Sequence, residues 1–165
     1  MVKLKSESHL LELNKQRVLT NYRYLLFSTH GYFSPIHPAL SGIVLDQLHT
    51  PVPTDGYINA AEWVGYDLRS DLMVLSACET GVGQTSGDGV LGLPYALYVA
   101  GNTNTLLTLW TILDESTAEF MRRFFSRLQQ GENHVDALTS VKREFLKENK
   151  YHNPLHWAAF ILYGI

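Results

Sequence analysis

The run Leu72-Met-Val-Leu-Ser-Ala-Cys78-Glu-Thr-Gly81 decides how this chain folds, because an unbroken apolar stretch opening into glycine is the pattern of a strand buried on both faces. Such strands belong to sheets sandwiched between helices, and their carboxyl ends are where an α/β fold gathers its chemistry. The run leads into Cys78, the one cysteine of the sequence. Upstream, Tyr24-Leu-Leu-Phe-Ser-Thr-His30-Gly31 ends in the same manner, with a histidine followed by glycine. Two parallel strands of this kind deliver a thiol and an imidazole to one sheet edge, so a Cys/His dyad is the sharpest chemical expectation.

Working outward, strands are expected over Tyr22 to Thr29, Ser41 to Leu45, Leu72 to Ala77, Thr105 to Trp110 and His156 to Tyr163. Amphipathic segments lie between them. Asn59 followed by Glu62 forms a capping box ahead of Trp63, Asp114 stands where it caps a helix over Ser116 to Gln130, and Asn133 precedes another over Val135 to Asn149. In the middle one, Phe120, Phe124, Phe125 and Leu128 recur at helical spacing, while Arg122, Arg123 and Arg127 read as a solvated face. Val90 to Ala100 reads as a helix closed by Gly101, either starting near Leu93 with Pro94 in its first turn or kinked there. The alternation predicts an α/β domain with a mainly parallel sheet flanked by helices.

With 165 residues, the chain has the length of one domain. A hydrophobic fraction of 45%, 18% charged residues and a net charge of −3 describe a soluble globular protein with no electrostatic footprint for nucleic acid. The first residues, Met-Val-Lys-Leu-Lys-Ser-Glu-Ser-His9, carry no apolar leader core, and no stretch approaches the roughly 20 apolar residues of a membrane span. The expected setting is cytoplasmic, without membrane or nucleic-acid contact. A single cysteine suits a reducing compartment, and its plain reading is inert packing.

His30 and Cys78 stand 48 positions apart, each at an apolar strand end followed by small or flexible elements. A thiol that attacks a carbonyl needs such an exposed end, and glycine after the histidine lets backbone N–H groups approach a developing oxyanion. The loop Thr80-Gly-Val-Gly-Gln-Thr-Ser-Gly-Asp-Gly-Val90 carries a competing reading as a nucleotide-binding turn. The fit is poor: no Gly-Lys-Ser/Thr closes a phosphate loop, and Ser86 stands where a third dinucleotide glycine belongs. His9, His37, His49, His134, His152 and His156 show none of the paired spacings of zinc sites, so neither a metal nor a cofactor is expected. His156 reads as a hydrogen-bonded core histidine.

Taken in order, Phe27-Ser-Thr-His30-Gly31, Pro38-Ala-Leu-Ser-Gly-Ile-Val-Leu45, Val74-Leu-Ser-Ala-Cys-Glu-Thr-Gly81, Gly87-Asp-Gly-Val90, Leu109-Trp110 with Asp114-Glu115-Ser-Thr117, and Asn153-Pro-Leu-His-Trp-Ala-Ala-Phe160 resemble the successive motifs of the CHAT domain. That caspase-like domain is often found beside tetratricopeptide repeats in bacteria. The resemblance runs from about Tyr22 to the C-terminus, and the 48-residue separation is close to the roughly 50 of caspases.

The resemblance implies a three-layer caspase-like fold and a cysteine endopeptidase acting on a protein or peptide, in a bacterial signalling or defence pathway. It also implies a helical-repeat or other protein as activating partner. His30 and Cys78 would be the dyad, with the N–H groups of Gly31 and Cys78 as the oxyanion hole. A catalytically silent interaction module of the same fold is the rival. The segment Leu109-Trp-Thr-Ile-Leu-Asp114 resembles the separase stretch whose acidic residues receive arginine, which implies Asp114, or Asp88 in the glycine-rich loop, as the substrate-binding carboxylate; a simple helix cap is the alternative for Asp114. Pro94 and Tyr95 depart from the family's uninterrupted helix. Only Met1 to Asn21 precede the histidine strand, so the expectation is a single domain over 1–165 short of the family's N-terminal strands.

Overall fold

Leu72, Met73, Val74 and Leu75 are each wholly buried, as a strand covered on both faces requires. Alternation sends Leu72 and Val74 to one side and Met73 and Leu75 to the other, and each such side chain contributes roughly 1.5–3 kcal/mol of apolar transfer. A computed structural model describes residues 3–164 apart from 5, 33, 35, 49, 77–83 and 87–88, with backbone alone for 84–86 and 89–91.

In chain order the elements are α1 (Glu7–Lys15), β1 (Tyr24–Ser28), β2 (His30–Tyr32), β3 (Gly42–Val44), β4 (Tyr57–Asn59), α2 (Ala60–Trp63) and β5 (Leu72–Ser76). They continue with β6 (Gln84–Ser86), β7 (Gly89–Leu91), α3 (Leu93–Val99), β8 (Asn104–Thr108), α4 (Asp114–Gln129), α5 (His134–Lys147) and β9 (Phe160–Gly164). The main sheet has the order β1-β5-β8-β9, parallel through β8 and closed by antiparallel β9. One face packs against α1, α2 and α3 through Leu10, Trp63, Leu93 and Leu97; the other packs against α4 and α5 through Phe120, Phe124, Val141 and Phe145. The result is the three-layer α/β arrangement expected.

Local signals account for several boundaries. Asn59 Oδ1 accepts from Glu62 N (3.1 Å) while Glu62 Oε2 accepts from Asn59 N (2.8 Å), so the capping box forms, over a helix of only four residues. Asn133 caps α5 through Asp136 N at 2.9 Å. Pro94 sits in the first turn of α3, where its missing N–H costs nothing, so that helix starts at Leu93 and is not kinked; Val90 belongs instead to the β6–β7 ribbon.

Four expectations need correcting. The strand within Ser41 to Leu45 is real but lies outside the main sheet: β2, β3 and β4 form a separate antiparallel sheet. Gly42 permits that pairing, since a Cβ there would collide with the Ile58 carbonyl. Asp114 does not cap α4. Leu113 holds the extended cap position without a side-chain hydrogen bond, and Asp114 is the first helical residue. His156 precedes the last strand, closing a 3-10 turn over Pro154–His156, and Ser116 Oγ hydrogen-bonds its Nδ1 at 2.7 Å.

Finally, Arg123 and Arg127 are not a solvated face. Arg123 joins Glu119, Glu144 and Glu148, and Arg127 joins Glu132 and Glu144, which ties α4 to α5. Among the described residues no helix is long and apolar enough to cross a membrane.

Candidate active site

β1 and β5 are neighbours with Ser28 opposite Ser76, so both chains leave the same carboxyl edge side by side, about 4.8 Å apart. On the β1 side the chain bends at Thr29 and re-enters a strand at once. His30 is therefore the first residue of β2, two positions beyond the end of β1. Thr29 donates its hydroxyl to the Val44 carbonyl, and His30 pairs in register with that same Val44, which fixes the turn on the small sheet. Gly31 follows, opposite the fully buried Ile43. Burial pushes the phenol of the next residue, Tyr32, upward, with the charge of Glu62 adding to the effect; its ring meets Tyr57 edge-on at 5.6 Å.

The edge opens into a cavity of about 530 Å³. Leu26, Ser28, Thr29 and His30 line it from the β1 side, Ser76 from the end of β5, Thr108 from the end of β8, and Thr111 and Ile112 from the segment beyond. The last wall is one face of α4. Asp114, Thr117, Ala118 and Met121 follow i, i+3, i+4, i+7 spacing toward the cavity, while Ser116, Phe120, Phe124 and Leu128 turn into the core. The Ser116–His156 hydrogen bond, with Tyr151 edge-on to the imidazole at 5.9 Å, anchors the first turn that carries Asp114.

His30 and Asp114, 84 residues apart in sequence, thus line one cavity together with Ser76. Gly31 follows His30 in β2. Cys78 is two residues beyond Ser76 in sequence and, like Asp88, lies outside the described residues. His30 is solvent-exposed, and among the described residues its ring has no hydrogen-bond partner. The only charged or titratable groups on the cavity wall, among the described residues, are His30 and Asp114; the remainder is aliphatic, thioether and hydroxyl. Among the described residues no three His, Cys, Asp or Glu gather as a metal site.

Sequence reading missed Thr108, Thr111, Thr117 and Met121. The last two were accessible in principle, since the spacing from Asp114 to Met121 marks a second stripe on α4; Thr108 ends β8 and Thr111 follows it, and neither carries a pattern that marks a cavity.

The three-layer α/β arrangement, with His30 and the end of β5 at one carboxyl edge, is consistent with a caspase-like, protease-like domain, and a family match supplies that assignment. The CHAT domain model matches residues 2–165, and the chain belongs to that family. It is also 27% identical over 107 residues to tetratricopeptide repeat protein 28 of Mus musculus, and to the same degree to tetratricopeptide repeat protein 28 of Homo sapiens. That stretch is 65% of this chain and 4% of each relative, so the chain spans a small fraction of the curated proteins it matches.

Proposed function

We propose that the protein is a cysteine endopeptidase whose dyad is His30 and Cys78. One observation supports this above all: His30, two residues beyond the end of β1, and Ser76, the end of the strand leading to Cys78, border the same cavity, and β1 and β5 are adjacent parallel strands in matching register. His30 takes the thiol proton, and the Cys78 sulfur attacks the scissile carbonyl carbon. The oxyanion is held by the N–H groups of Gly31 and Cys78. As the C–N bond breaks, His30 gives its proton to the departing amine; water then attacks the thioester, losing a proton to His30, which returns it to the sulfur. Glu79 follows Cys78 in sequence, and a neighbouring carboxylate disfavours thiolate, so His30 carries the activation.

Asp114 receives a basic side chain before the cut, with Asp88 as the other candidate. Arginine suits it better than lysine, because the planar fork matches a carboxylate. A helical-repeat segment is the activating partner, a reading drawn from the relatives' names.

The test uses the whole chain and a positional peptide library. Cys78→Ala should abolish cleavage and keep a cooperative thermal transition, and His30→Ala should slow iodoacetamide labelling of Cys78. Equal labelling rates would sink the dyad and favour a silent module. Asp114→Asn should lower cleavage after arginine without lowering the melting temperature; if Asp88→Asn alone does so, the pocket belongs to Asp88. A preference for acidic or aliphatic residues before the cut would rule out an acidic pocket.

A further inference from the structure

Glu7 is 7% exposed, and among the described residues it has no basic partner. A buried carboxylate in that condition is costly unless strong hydrogen bonds replace its water. Its Oε2 accepts from two successive backbone N–H groups, Asp55 at 2.9 Å and Gly56 at 2.7 Å. Both belong to the turn that feeds β4, 48 and 49 residues away in sequence. The other end of α1 is held as firmly: Asn14 Nδ2 donates to Gly65 O at 3.2 Å and its Oδ1 accepts from Asp67 N at 2.9 Å. Leu10, 1% exposed, fills the space between. The helix is thus tied at one end to the turn before β4 and at the other to the segment after α2.

From Glu7 the bonds continue toward the histidine. Gly56 accepts at its carbonyl from Leu45 N at 2.7 Å. Val44, the next residue, accepts from the Thr29 hydroxyl and pairs in register with His30. The turn packs closely on the chain after β3: Gly56 is at φ +83° and a Cβ would lie 2.7 Å from Asp46 O. We infer that Glu7 is a positioning residue for the His30–Gly31 strand, so that the seating of α1 sets the geometry of the cavity edge. The catalytic half of this rests on the peptidase reading of His30. A reacting group misplaced by about 1 Å loses on the order of a hundredfold in rate, so a tether at this distance matters to turnover.

The test compares Glu7→Ala and Glu7→Gln in the full chain. In Glu7→Ala, hydrogen exchange should quicken about tenfold or more in segments 30–32, 42–45 and 54–59 while 72–76 and 104–108 keep their protection. Glu7→Gln, which retains an acceptor oxygen, should restore most of that protection, and it carries the same comparison if the alanine variant does not fold. With a cleavable peptide, kcat should fall about tenfold in Glu7→Ala and KM stay within about twofold, with Gln in between. Exchange that quickens everywhere alike, or is unchanged in the small sheet, overturns the inference. So does local loosening with kcat untouched. If the wild type cleaves nothing, the peptidase reading falls by itself, and the inference is then judged on the His30 ring resonances: a shift in Glu7→Ala supports it, and unmoved resonances overturn it.

Discussion

Phe120 joins the packed layer to the cavity wall, and replacing it by alanine perturbs both. The side chain is wholly buried, stacked on Phe160 with centroids 4.0 Å apart and edge-on to Phe145 at 5.2 Å. Removing a buried phenylalanine costs about 3–5 kcal/mol, and two aromatic pairs at about 0.5–1.5 kcal/mol each put this site toward the upper end of that range. Against a typical domain stability of about 5–15 kcal/mol, Phe120→Ala should be marginal at 25 °C, and Phe120→Leu, which gives up the two ring pairs but keeps most of the volume, should lose about 1–3 kcal/mol. Urea denaturation followed by far-ultraviolet circular dichroism measures both, since helices of both layers contribute to the signal. The next residue on α4, Met121, lines the cavity, so cleavage by the alanine variant should fall even where the chain is still folded. A loss below about 1.5 kcal/mol for Phe120→Ala would refute the packing of α4 on β9 and, with it, the placement of Asp114.

Two further predictions concern surfaces and charge. β1 has a neighbour on one side only among the described residues, Leu26 is 53% exposed, and an apolar groove of about 390 Å³ runs beside it; light scattering at high concentration should show self-association that Leu26→Lys reduces, and a monodisperse wild type would contradict this. Hydrogen bonds from Arg122, and then Arg123, hold the Glu119 carboxyl down to about 2, and Arg123 lowers Glu148 likewise. Because the folded forms bind protons less readily than the unfolded chain, this stability is complete above about pH 5 and is lost as pH falls toward 2; Arg123→Met should flatten that decline in urea midpoints, and an unchanged slope would show that the network is inert.

Much of the main sheet was legible in advance because its strands are continuous apolar runs, and Leu72 to Leu75 could be nothing else. Asn59 with Glu62 and Asn133 marked two helix starts for the same local reason. The small sheet was not legible: β2, β3 and β4 have three residues each, too few for a period of two to emerge, and Gly42 reads as a loop residue until Ile58 is seen beside it. Arg123 and Arg127 resemble a solvated stripe because Glu144, in α5, and Glu148, at its C-terminal cap, lie 17 to 25 residues away. At the site, His30 was marked by its strand and glycine. Asp114 looked like a cap because acidic residues are common at that place, and only the extended backbone of Leu113 moves it into the helix. Glu7 carries no local signature, since its partners are backbone N–H groups far along the chain.

The central claim is that Cys78 is a nucleophile activated by His30. A peptidyl acyloxymethyl ketone ending in arginine tests it most directly: the sulfur displaces the carboxylate leaving group, and intact mass with peptide mapping locates the bond. One adduct per chain is expected, on Cys78, formed slowly in His30→Ala and not at all in Cys78→Ala. An adduct elsewhere, none in the wild type, or equal rates in wild type and His30→Ala would contradict it.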